Sequence, residues 1–136
     1  MRNDTAWMLA IRRAHMDVLH ANRCRTHIIR ALSAQPFPGG YLPYLRFQPG
    51  SHAILVAAST TTSTFSTTVD VGSQLAAMGL PTTGAFAVTD LWRGTPPITV
   101  NSTVLARLPV TIDADLSPGG GMAVLLIFLV LAAQFN

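Results

Sequence analysis

Hydrophobic and polar positions follow two different rhythms along the chain. Residues 5–32 contain neither Pro nor Gly. At 100° per residue, Trp7, Ala10, Ile11, Ala14, Val18, Ala21, Ile28, Ile29 and Leu32 gather on one broad face. Arg12, Arg23, Arg30, His20 and His27 fall opposite, and Arg25 lies on the wrong side. The pattern predicts one amphipathic helix. Asp4 or Thr5 would cap it, and the run Gln35-Pro36-Phe37-Pro38-Gly39-Gly40 would end it.

Beyond residue 40 the period shortens to two. Phe65, Thr67 and Val69 alternate with Ser66, Thr68 and Asp70, and Ala85, Ala87 and Thr89 with Phe86, Val88 and Asp90. Strands are predicted over 41–47, 52–58, 64–71, 85–91, 99–104, 108–114 and 122–131, with Pro- and Gly-bearing breaks between them. Turn signals at this interval are those of a β-sandwich or barrel. The expected fold is mainly β: an antiparallel β-sandwich of about 7–8 strands preceded by one N-terminal amphipathic α-helix. The chain then divides into a helical arm (1–34), a Pro/Gly linker (35–40), a sandwich domain (41–131) and a short tail (132–136).

The last apolar run, 122–133, holds twelve residues without interruption. As a helix it would reach roughly 18 Å, well short of a ~30 Å hydrocarbon core. A strand buried on both faces explains it better, and no transmembrane span is expected. A glycolipid-anchor signal would need a polar spacer of about 8–12 residues, where Pro118-Gly119-Gly120-Gly121 stands instead.

Charge sharpens the division. All nine cationic side chains are Arg and all six acidic ones Asp, which excludes a coiled coil built on Glu and Lys. Residues 1–46 carry seven Arg and two Asp, net +5, whereas residues 47–136 carry two Arg and four Asp, net −2. The basicity therefore belongs to the arm. Such an arm docks on the following domain, serves as a mitochondrial-type targeting segment, or attaches to a membrane surface or nucleic acid through its Arg face. A single stripe without interleaved aromatics favours docking, and no nucleic-acid partner is expected. No secretory signal is read, since no uninterrupted apolar run follows the first Arg. The compartment stays unassigned.

Few residues suggest chemistry. Asp17, His20, Cys24 and His27 share a helix face, but one straight helix directs about two ligands at a metal, so a solvated polar face is expected. A lone cysteine excludes an internal disulfide framework. Eight Ser, four His and six Asp allow many triads on paper, yet no Gly-x-Ser-x-Gly elbow supports one. Gly119–Gly121 lacks the Lys and Ser/Thr of a phosphate loop. Asp113 and Asp115 would share a strand face about 6–7 Å apart, but they adjoin a Ser-Pro-Gly turn where Asp is normally a solvated turn residue. Asp70 is the remaining carboxylate of the body besides Asp90. Asp90 is expected to cap its own turn through backbone N–H groups. Trp92 is read first as packing, with a sugar-stacking role as the alternative. Asn3-Asp4-Thr5 and Asn101-Ser102-Thr103 are formal glycosylation acceptors. No catalytic, cofactor or metal residue is assigned.

One stretch carries a family resemblance. Gly84-Ala85-Phe86-Ala87-Val88-Thr89-Asp90-Leu91-Trp92-Arg93-Gly94 resembles the strand and turn of the C-terminal β-sandwich domain in family 27 glycoside hydrolases, the α-galactosidase type. Leu45–Val56 is similar to the segment entering that sandwich, and Val69–Pro81 to its next strand and Leu-Gly-Leu-Pro turn. Val110–Ile112, Ser117–Gly121 and Met122–Ile127 look like its closing hairpin. The resemblance implies a non-catalytic accessory domain that packs on a (β/α)8 barrel. It also implies a fragment or split product, because the family's two catalytic Asp lie in a barrel of about 250 residues. Only about 40 residues precede the sandwich here. Alternatives are a small interaction protein with an Arg-rich docking helix, and a carbohydrate-binding module centred on Trp92.

Overall fold

A computed structural model of the chain describes residues 3–19, 28–39, 41–60 and 63–113, and the backbone of 121–129. The described residues are mainly β, with nine antiparallel strands in two sheets. The larger sheet has the order β1 (Ile28–Arg30), β3 (Tyr44–Gln48), β4 (His52–Ser59), β9 (Gly121–Leu129), β6 (Ala85–Asp90) and β7 (Ile98–Asn101). The smaller sheet is β2 (Leu32–Ser33), β5 (Phe65–Asp70) and β8 (Leu108–Ile112).

The two sheets face each other across one core. Leu45, Leu55 and Phe86 from the larger sheet meet Val69, Val110 and Ile112 from the smaller in a single buried cluster. This is the sandwich that the two-residue alternation predicts: Phe86 and Val88 point inward from β6, and Val69 from β5. Phe37 and Phe65 close the core by an edge-to-face contact, ring centroids 5.2 Å apart. The two 3₁₀ turns Gly72–Gln74 and Ala76–Met78 add Leu75 and Met78 to it.

Thr67 shares its strand face with Phe65 and Val69, and its hydroxyl is buried without a hydrogen-bond partner. An unsatisfied buried hydroxyl is destabilising. Thr67→Val removes the polar group at nearly unchanged shape, so it should stabilise the fold by about 1 kcal/mol. A higher urea midpoint at unchanged slope would show it, and a lower midpoint would mean that the hydroxyl has a partner.

Several elements differ from the sequence expectation. The helix is shorter than 5–32: α1 spans Asp4–Ala14, His15 leaves helical geometry, and α2 spans Met16–Leu19. Its cap is Asn3, whose side chain accepts from the Ala6 N–H at 3.1 Å, in place of the expected Asp4 or Thr5. Residues 28–33, expected to be helical, form β1 and β2 instead. Ile28, Ile29 and Leu32 satisfy both periodicities, and cross-strand pairing of Ile29 with Leu45 decides for the strand. Buried Ala31, whose N–H donates to the Pro43 carbonyl, lies between β1 in one sheet and β2 in the other.

The strand expected over 99–104 stops at Asn101. There the side chain accepts from the Val104 N–H and starts α3 (Ser102–Leu105), which turns Leu105 into the core. The closing segments are not a paired hairpin, because β8 bonds to β5 while β9 lies in the other sheet. The apolar C-terminal run forms a strand, as expected, and β9 lies between β4 and β6 in the larger sheet. No helix among the described residues is long and apolar enough to cross a membrane.

Candidate functional site

The Asp90–Gly94 corner carries a network of side-chain hydrogen bonds around Arg93. Asp90 ends β6 and makes an Asx-type turn: Oδ1 accepts from the Arg93 backbone N–H at 2.9 Å. The Gly94 N–H donates to the Asp90 carbonyl at 2.8 Å, and Gly94 has φ +72°, a conformation that disfavours other residues. The turn thus aims the Arg93 side chain back across the sheet end.

Arg93 joins two strand ends. Its Nη1 donates to Asp90 Oδ2 at 2.8 Å, its Nε to Asp113 Oδ2 at 3.1 Å, and its Nη2 to the Thr111 carbonyl at 2.9 Å. The hydrogen bond to Asp113 holds the guanidinium above its ordinary range, assisted by Asp90 and opposed by partial burial. Both carboxylates converge on this one cation. That arrangement ties β6 to the end of β8.

The two carboxylates contribute unequally. Asp90 both caps the turn and pairs with Arg93, so Asp90→Ala should cost about 1.5 kcal/mol. The Asp113 side chain is 69% exposed, and Asp113→Ala should cost under about 1 kcal/mol. Urea denaturation of both variants checks the order, and equal losses would remove the turn-cap role of Asp90.

The N-terminal helix lands on this corner. Trp7 Nε1 donates to the Trp92 carbonyl at 2.8 Å and lies 3.1 Å from the Leu91 carbonyl. Ile11 and Val18 bury against Ile54 on the face of the larger sheet opposite the core, with Trp7, Leu19, Val56, Leu91 and Trp92 packed around them. Trp92 is therefore half-buried between helix and sheet, in the packing position read first from the sequence.

Other singled-out residues disperse. Asp70 Oδ1 accepts from the Ser73 N–H at 2.9 Å and starts a 3₁₀ turn. Asp17 lies 3.0 Å from His52 Nε2, away from the corner. His20, Cys24, His27, Asp115 and Ser117–Gly120 lie outside the described residues. Among the described residues no group of three or more His, Cys or Asp side chains could hold a metal ion. The side chains of Asn3 and Asn101, the two formal glycosylation acceptors, cap helices.

Trp7 and Arg93 are the residues that sequence reasoning passed over. Arg93 stood three positions after Asp90, the spacing of a turn ion pair. Trp7 was the one aromatic on the helical stripe.

A groove of about 210 Å³ lies elsewhere, lined by residues that include Arg30, Leu32, Gln35, Tyr41 and Leu42. It falls below the roughly 300–1,000 Å³ of sites that enclose a small molecule. Compared with family models, curated proteins and solved structures, the chain matches none of them.

Proposed function

We propose that this chain is a non-catalytic accessory β-sandwich, similar to the C-terminal domain of an α-galactosidase-type glycoside hydrolase, whose role is to pack against and stabilise a catalytic body. The observation that carries the reading is the use of the Asp90–Gly94 corner. Its carboxylate, its cation and the carbonyls of Leu91 and Trp92 all bond within the fold. A corner whose polar groups are so engaged serves as a joint between packed elements. Its tryptophan is packed in the same joint, which leaves less of its ring face to stack on a sugar.

The test has two arms. The purified chain should not hydrolyse an aryl α-galactoside, and genuine turnover would overturn the non-catalytic reading. Added to an α-galactosidase barrel lacking its own sandwich, the chain should co-elute with it and raise its melting temperature. Failure of both effects would remove the accessory role.

A further inference from the structure

We propose that Ser51, His52 and Asp17 form an acyl-accepting site at the β3–β4 hairpin, in which Ser51 is the nucleophile, His52 its base and Asp17 a positioning residue. The proposal is independent of the accessory role. It rests on a hydrogen-bond relay between parts of the chain that are distant in sequence. Ser51 Oγ lies 2.8 Å from His52 Nδ1, and His52 Nε2 lies 3.0 Å from Asp17 Oδ2.

The hairpin geometry explains the order of the groups. Gln48-Pro49-Gly50-Ser51 turns the chain, with the Ser51 N–H donating to the Gln48 carbonyl at 3.0 Å and Gly50 at φ +73°. A serine directly before a histidine reaches the nearer ring nitrogen, Nδ1. The farther nitrogen is left to meet α2, where Asp17 stands. One tautomer satisfies both contacts: the Ser51 hydroxyl donates to Nδ1 while Nε2–H donates to Asp17. This is the nucleophile–base–orienter logic of serine acyl transfer, with the two ring nitrogens exchanged relative to the usual arrangement. The His52 side chain is only 19% exposed, so its orientation is held by packing as well, while Ser51 is exposed and open to a substrate.

The same geometry sets the substrate class. The Gly50 N–H donates to the Met78 carbonyl and the Ser51 N–H to Gln48, so these amides are not directed at an oxyanion. With those donors committed elsewhere, the leaving group must supply the driving force, which points to activated acyl donors such as aryl esters or thioesters, not amides. With an aryl ester, Ser51 Oγ forms a bond to the acyl carbon as its proton passes to His52 Nδ1. The acyl–oxygen bond then breaks, and the aryl oxide leaves and takes up that proton. The product is an acylated Ser51 and a phenol. No oxidant or metal enters the balance.

The test exposes the whole chain to p-nitrophenyl acetate and locates acetyl groups by peptide mass spectrometry. Ser51 should acylate about 10²-fold faster than Ser73, an exposed hydroxyl whose partner is the Gln74 amide. His52→Gln should abolish that advantage. Asp17→Asn should reduce it about tenfold and Asp17→Glu should restore most of it, a rescue that a merely structural role would not produce. Thermal melting of each variant confirms that it is folded. Labelling of Ser51 no faster than Ser73, or an advantage that survives His52→Gln, overturns the proposal.

Discussion

Trp7→Ala is expected to release the N-terminal helix from the sandwich and to lower stability by about 3 kcal/mol, in the range of aromatic truncations at packed sites. Two losses combine. The ring leaves the cluster of Ile11, Val18, Ile54 and Trp92, and the carbonyls of Leu91 and Trp92 lose their indole donor. Gly94 also loses its neighbour, since a Cβ built there would stand 3.7 Å from the Trp7 ring. The chain has two tryptophans, so Trp92 becomes the sole indole reporter in this variant. Its emission should shift to longer wavelength as the helix lifts from it. Trp7→Phe, which keeps a ring without the N–H, should cost about 1–2 kcal/mol and leave the helix docked. A loss below about 1 kcal/mol for Trp7→Ala would show that the helix is held elsewhere.

The sandwich was legible because its signal is local. Alternation over 65–70 and 85–90 marks which side chains face the core, and Pro or Gly marks most of the turns. Residues 28–33 were not legible in the same way. Ile28, Ile29 and Leu32 fit either a helical stripe or a strand, and the deciding partner, Leu45, is sixteen residues downstream. The corner was half legible. Asp90 as a turn cap follows from its position, whereas the reach of Arg93 to Asp113 requires β6 and the end of β8 to meet at one rim of the sandwich. The relay of Asp17 with His52 lay beyond any spacing argument, because it depends on how the helix crosses the sheet.

That crossing makes Ile54 and Leu55 a paired test of the architecture, and the largest effect expected in this chain. They are neighbours on β4 and both are fully buried, so sequence and exposure treat them alike. The pleat sends them to opposite faces: Leu55 into the core between the sheets, Ile54 beneath α1 and α2. Leu55→Asp places a carboxylate among Leu45, Phe86 and Val110, and it should cost about 4 kcal/mol or more and unfold the domain. Ile54→Asp meets a thinner layer. The helix can lift away and admit water to the charge, so the sandwich should survive while the Trp7 contacts are lost. Far-ultraviolet circular dichroism should therefore keep its β signal in Ile54→Asp and lose it in Leu55→Asp. In Ile54→Asp a protease should cut within the N-terminal helix and spare the strands. Unfolding of both variants to the same extent would mean that helix and sandwich form one cooperative unit. Survival of both would contradict the burial of Leu55 between the two sheets.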